Sequence, residues 1–123
     1  MNLYLVRHGE TAWSKNGRHT GLTDIPLTED GVKEAKDLGK RLKGHHFDKV
    51  FASPLKRALD TCTLAGFHPE ISPDLVEWDY GDYEGLMHEE ILKKDPHWNL
   101  FTKGAPGGES VADVSLRADR ILK

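Results

Sequence analysis

Apolar residues recur along the chain with two different periods, and the alternation of those periods sets out its elements. Leu3 to Val6 is an unbroken apolar run rich in strand formers that stops abruptly at Arg7-His8-Gly9-Glu10-Thr11. Short apolar runs bounded by turn residues read as buried strands. A helical period follows: Val32, Ala35, Leu38 and Leu42 share one face of a segment capped by Thr28, running to about Lys43 and stopped by Gly44. Lys49 to Ala52 is a second short strand, ending at Ser53-Pro54. These read as an N-cap with proline at the first helical position. The helix they open, about Pro54 to Ala65, turns Leu55, Ala58, Leu59 and Cys62 inward and ends at Gly66. Glu70 to Ser72 predicts a third, brief strand and Met87 to Lys94 a short helix. Ser110 caps a last helix through Leu122 with Val111, Val114, Ala118 and Ile121 facing inward. The stretches 12–27, 74–86 and 99–108 lack a period and read as loops; Gly17, Gly21 and Pro26 break the first and Pro106-Gly107-Gly108 the last. Loops of that length in a compact domain are often functional.

Strands alternating with helices argue for an α/β fold with a mainly parallel sheet. Such sheets cover both faces and pair their central strands on both sides. So few short strands for so many helices, and an end at Ile121-Leu122-Lys123 within a helix, predict a single incomplete domain over 1–123 with further strands beyond it.

Composition narrows the chemistry. With 37% hydrophobic and 30% charged residues and a net charge of −3, the chain has no basic surface for nucleic acid. No apolar run approaches the ~20 residues of a membrane span, and no signal peptide is visible. One cysteine fits a reducing, cytoplasmic setting. An affinity for phosphate must then be local. In open α/β sheets, ligands bind outside the carboxyl ends of strands, where the first strand delivers Arg7 and His8 and where Gly9 lets the backbone turn sharply. Arg57, one turn into the helix after the second strand, reaches the same rim if the two strands are neighbours. Two arginines gripping phosphoryl oxygens while His8 attacks phosphorus split a hard displacement into two easier ones. The leaving alcohol needs a proton. Among the acids of the aromatic loop, Glu77 follows Leu75-Val76 in a semi-buried context and is the choice, while Asp82 and Glu84, flanked by Gly81 and Gly85, read as more solvated. His45, His46 and His68 read as surface residues and Cys62 as core. Trp78, Tyr80 and Tyr83 form a minor core or line the site. No metal-ligand spacing or cofactor motif is present.

Those residues carry a resemblance. Leu5-Val6-Arg7-His8-Gly9-Glu10-Thr11 resembles the signature of the histidine phosphatase superfamily, the phosphoglycerate mutase-like proteins. Ser53-Pro54-Leu55-Lys56-Arg57-Ala58 with Thr61, Leu75 through Gly85, and Gly107-Gly108-Glu109-Ser110 resemble its later blocks in order. The resemblance implies a three-layer α/β/α fold, here truncated at its C-terminal side, and hydrolysis of a small phosphomonoester without a cofactor. His8 is then the phosphorylated nucleophile, Arg7 and Arg57 hold the phosphate, and Glu77 is the proton donor. Ser14 and the Thr20-Gly21 backbone lie near the phosphate. Ser14 and the 78–85 block look closer to the bisphosphatase-like and broad-specificity members than to the mutases, which carry Asn where Ser14 stands. A second catalytic histidine in a His-Gly context has no match here; His88 and His97 lie in the wrong context. Its absence implies reduced turnover and an exposed sheet edge. A mutase and a non-catalytic phosphate-binding module are the alternatives.

Overall fold

The computed structural model of the chain describes residues 2–122. Its sheet is a parallel pair, β1 (Phe51–Ala52) and β2 (Glu70–Ile71), with Phe51 opposite Glu70 and Ala52 opposite Ile71. The crossover between them is helix α3 (Lys56–Leu64), which packs against helix α2 (Glu29–Arg41). The second and third expected strands therefore form, at reduced length.

The expected first strand does not. Leu3, Tyr4, Leu5 and Val6 are 74%, 51%, 88% and 54% exposed, and among the described residues the run joins no ladder. A strand exists through its inter-strand hydrogen bonds; without a neighbour, apolar pattern alone leaves an extended arm. Tyr4 makes its aromatic contacts, edge-on to Phe47 and His45 with centroids 5.1 and 6.1 Å away.

Local chemistry explains the helices. Thr28 caps α2 as expected, its hydroxyl accepting the Gly31 N–H. Residues 12–27 are not all loop: Ala12–Lys15 form a one-turn helix, α1, because Thr11 and Ser14 exchange hydrogen bonds as a capping box. Helix α3 starts at Lys56, later than Ser53-Pro54 implied, because its free Lys56 N–H is taken at 2.7 Å by the Asp24 carboxylate. The residues α3 buries are polar, Arg57 and Thr61, while Leu55, Ala58, Leu59 and Cys62 are half-buried.

The best-packed apolar cluster lies at the far end, where Tyr83, Ile91 and Trp98 meet beside helix α4 (His88–Lys94). Leu100–Lys103, expected as loop, is a one-turn helix, α5, capped by Asn99. Helix α6 (Val111–Leu122) begins as expected at Ser110, whose hydroxyl accepts the Asp113 N–H. Its predicted inward face fails: Val111, Ala118 and Ile121 are exposed and only Val114 is half-buried. Charge holds this helix instead. The Arg117 Nη1 donates to the carbonyls of Asp74 and Val76 at 3.0 and 2.7 Å, and Arg120 pairs with Asp74. Among the described residues no helix is long and apolar enough to cross a membrane.

Candidate active site

The site is built around the end of the unpaired arm. Gly9 was expected to supply a sharp turn, yet it does not adopt a left-handed φ. It is glycine for space: a Cβ there would strike the Gly31 carbonyl of α2. Its N–H donates to the Thr61 hydroxyl at 3.1 Å, and that hydroxyl donates to the Arg57 carbonyl at 2.6 Å. Helices α2 and α3 thus pin the residue after His8 even though the residues before it are free.

His8 is half-buried, with Nδ1 2.7 Å from the carbonyl of Gly9. A carbonyl only accepts, so in the neutral ring Nδ1 carries the hydrogen and Nε2 keeps its lone pair. Burial lowers the His8 pKa; the Gly9 bond opposes the shift, and Arg57 and Arg7 reinforce it against the charge of Glu77. The net shift favours the neutral imidazole. Arg7, His8, Ser14 and Lys15 line an open cleft of about 310 Å³, with Glu10 and Glu34 at its side.

Of the other predicted residues, one lines this cleft. Ser14 lines it, although its hydroxyl is bonded to Thr11. Arg57 is 2% exposed, and its Nη2 and Nη1 donate to the carbonyls of Gly21 and Thr23 at 2.6 and 2.9 Å. Burial works against its charge, while Glu77, Glu84 and Asp24 favour it. Glu77 is exposed, not semi-buried. Its carboxylate accepts the Trp78 N–H at 2.7 Å, and its charge acts on His8 and Arg57. Thr20 and Gly21 do not line the cleft; the Thr20 hydroxyl donates to the Arg18 carbonyl, and both backbone groups of Gly21 are engaged within the protein.

Several supporting residues escaped the sequence. Asp82 is exposed as expected, but Glu84 is a four-fold acceptor between the two long loops. Trp13 lies against Gly85, whose carbonyl takes a bond from Arg18. The loop carrying Glu77 is backed by Glu109, which accepts the Asp79 N–H and pairs with Arg117 at 2.7 Å. Trp78 and Tyr83 are core, whereas half-buried Tyr80 has its pKa pushed up to about 12 by burial and by Glu77 and Glu84. Spacing gives no sign of the contacts of Glu84, Trp13 and Glu109, whereas the Thr11/Ser14 and Ser110/Asp113 boxes have a local pattern. Among the described residues no group of His, Cys, Asp and Glu converges as a metal site would require.

A half-buried histidine under the charges of two arginines, Arg57 and Arg7, invites comparison with known proteins. The histidine phosphatase superfamily (branch 1) matches residues 3–123, and the chain belongs to that superfamily. An acid phosphatase of Mycobacterium tuberculosis is 49% identical over 98% of this chain and 61% of its own length. A sedoheptulose 1,7-bisphosphatase of Saccharomyces cerevisiae is 34% identical over 96% of the chain and 53% of its own. A 2,3-bisphosphoglycerate-dependent phosphoglycerate mutase of Bacteroides thetaiotaomicron is 43% identical over 75% of the chain and 41% of its own. Among solved structures, an open reading frame product of Mycobacterium tuberculosis superposes with a TM-score of 0.88 at 47% identity, covering 94% of this chain and 61% of that one. The chain thus spans less than two thirds of the length of these relatives.

Proposed function

We propose that this chain carries the nucleophile of a phosphomonoester hydrolase that works through phosphohistidine on His8. His8 Nε2 attacks phosphorus, the bond from phosphorus to the substrate oxygen breaks, and protonated Glu77 gives that oxygen its proton. Water then attacks the phosphorus of phosphohistidine, Glu77 takes the water's proton, and phosphate leaves with His8 restored. Arg7 and Arg57 stabilise the charge on the three equatorial oxygens. One observation carries the reading: the Nδ1 bond to Gly9 leaves Nε2 as the free lone pair. The lowered His8 pKa supports it. The substrate is a small phosphomonoester, and the lone Cys62 fits a cytoplasmic setting. Turnover by these 123 residues alone is low, since the proposed grip consists of two arginines and no second imidazole.

Incubation with p-nitrophenyl phosphate and a rapid quench at alkaline pH tests this. The expected result is a phosphorylated His8 by mass spectrometry and, in His8→Ala, no adduct and at least ~10³-fold slower turnover. Turnover that survives in His8→Ala, or that a chelator abolishes, overturns it. The likeness to a mutase favours phosphoryl transfer as a second reading; an absolute requirement for a bisphosphoglycerate primer would select it.

A further inference from the structure

The turn Gly21–Thr23 has a property the mechanism does not use. It belongs to no helix or ladder, yet five of its polar groups are engaged by just two side chains. On its N–H side the Glu84 Oε1 accepts from Gly21 N, Thr23 N and Thr23 Oγ1 at 3.0, 3.1 and 2.7 Å. On its C=O side Arg57 donates to Gly21 and Thr23. The carboxylate cannot drift, because its Oε2 accepts the Tyr80 N–H at 3.0 Å. The turn also approaches the carboxylate closely at Gly21, where a Cβ would collide with Glu84 Oε2 and the Trp78 carbonyl. Ionised acceptors bond N–H groups about twice as strongly as neutral ones. A fully satisfied buried network fixes one geometry, whereas a partly satisfied one does not.

We propose that Glu84 is a positioning residue that sets the guanidinium of Arg57 for phosphate by clamping the Gly21–Thr23 turn against it. This rests on the phosphate-binding role given to Arg57 above. Glu84 touches no substrate in this scheme. It fixes two carbonyls, those carbonyls fix two of the five N–H donors of Arg57, and the rigid plane of the guanidinium then directs the rest. Glu84→Gln keeps the size but puts an N–H donor against either Tyr80 N or the Gly21 and Thr23 amides.

The test is the affinity of the full chain for inorganic phosphate, by calorimetry, with Glu84→Gln, Arg57→Lys and the double variant. Glu84→Gln is expected to weaken phosphate binding about ten-fold, and to add less than two-fold when Arg57 is already Lys, since each acts through the same grip. Unchanged affinity in Glu84→Gln, or losses that multiply in the double variant, overturn the proposal. If Glu84→Gln loses its helical signal in circular dichroism, Thr23→Val decides. That variant removes one arm of the clamp, and a loss of about three-fold is expected; no loss overturns the proposal. Absence of phosphate binding in the unmodified chain overturns the functional reading itself, and this inference with it.

Discussion

In the proposed reaction His8 attacks phosphorus only while neutral, and that form is favoured chiefly by burial, with Arg57 and Arg7 adding to the effect. Its titration in the folded chain, followed by the ring proton resonances in NMR, is expected below the ordinary 6.5. His19, half-buried against Tyr80 and Trp98, is shifted in the same direction, again by burial first. For both, the unfolded chain takes up its proton at higher pH than the folded one. Their contribution to stability is therefore complete above pH 6.5 and is lost as pH falls through the folded values. Urea midpoints should decline on acidification from pH 7, and less steeply in His19→Gln. Side-chain identity alone carried part of this site. Arg57, read onto the same rim, is buried on the carbonyls of Gly21 and Thr23, but Arg7 and His8 were legible as neighbours on one cleft. Glu84 was not, because Glu77, Asp79, Asp82 and Glu84 are alike in composition, and only the fold says which of them meets Gly21.

Helices here depend on their ends and their charges more than on their apolar faces. Helix α6 buries none of its residues, so its attachment rests on Arg117, whose side chain is 12% exposed against Glu109. Arg117→Ala strips a carboxylate and the Asp74 and Val76 carbonyls of their donor, at a cost of about 2 kcal/mol. Amide exchange should accelerate throughout α6 and in residues 74–79 together. Arg117 also holds the Glu109 carboxyl below its ordinary range. That contribution is present above about pH 4.5 and is lost as pH falls through the folded value, so the variant should show a shallower acid limb. The same elements mark how far pattern reading reaches. Thr28 and Ser110 announced α2 and α6 because a capping contact is local. Leu3–Val6 misled because a strand is a property of a pair, and α1 was hidden because four residues cannot display a period. The inward face assigned to α6 failed for a related reason: a helical stripe says which residues share a side, not whether another element covers it.

Taken as one object, the chain keeps its apolar density at the end near Trp98 and leaves apolar side chains bare at the other. Leu3, Leu5 and Val6 are exposed in one segment, and Phe51 and Ile71 are 48% and 55% exposed on the small sheet. Exposed apolar surface of this kind drives association. Sedimentation should show these 123 residues self-associating as concentration rises, and Leu5→Lys should weaken that association at least ~10-fold; a chain that stays monomeric throughout would contradict this. The tryptophans divide along the same line. Trp78 and Trp98 are buried, whereas Trp13 is half-buried with its ring on Gly85, next to the carboxylate that joins the two long loops. That one ring makes the contact optically addressable: the core indoles supply a constant blue emission, and a further red shift reports Trp13 leaving Gly85.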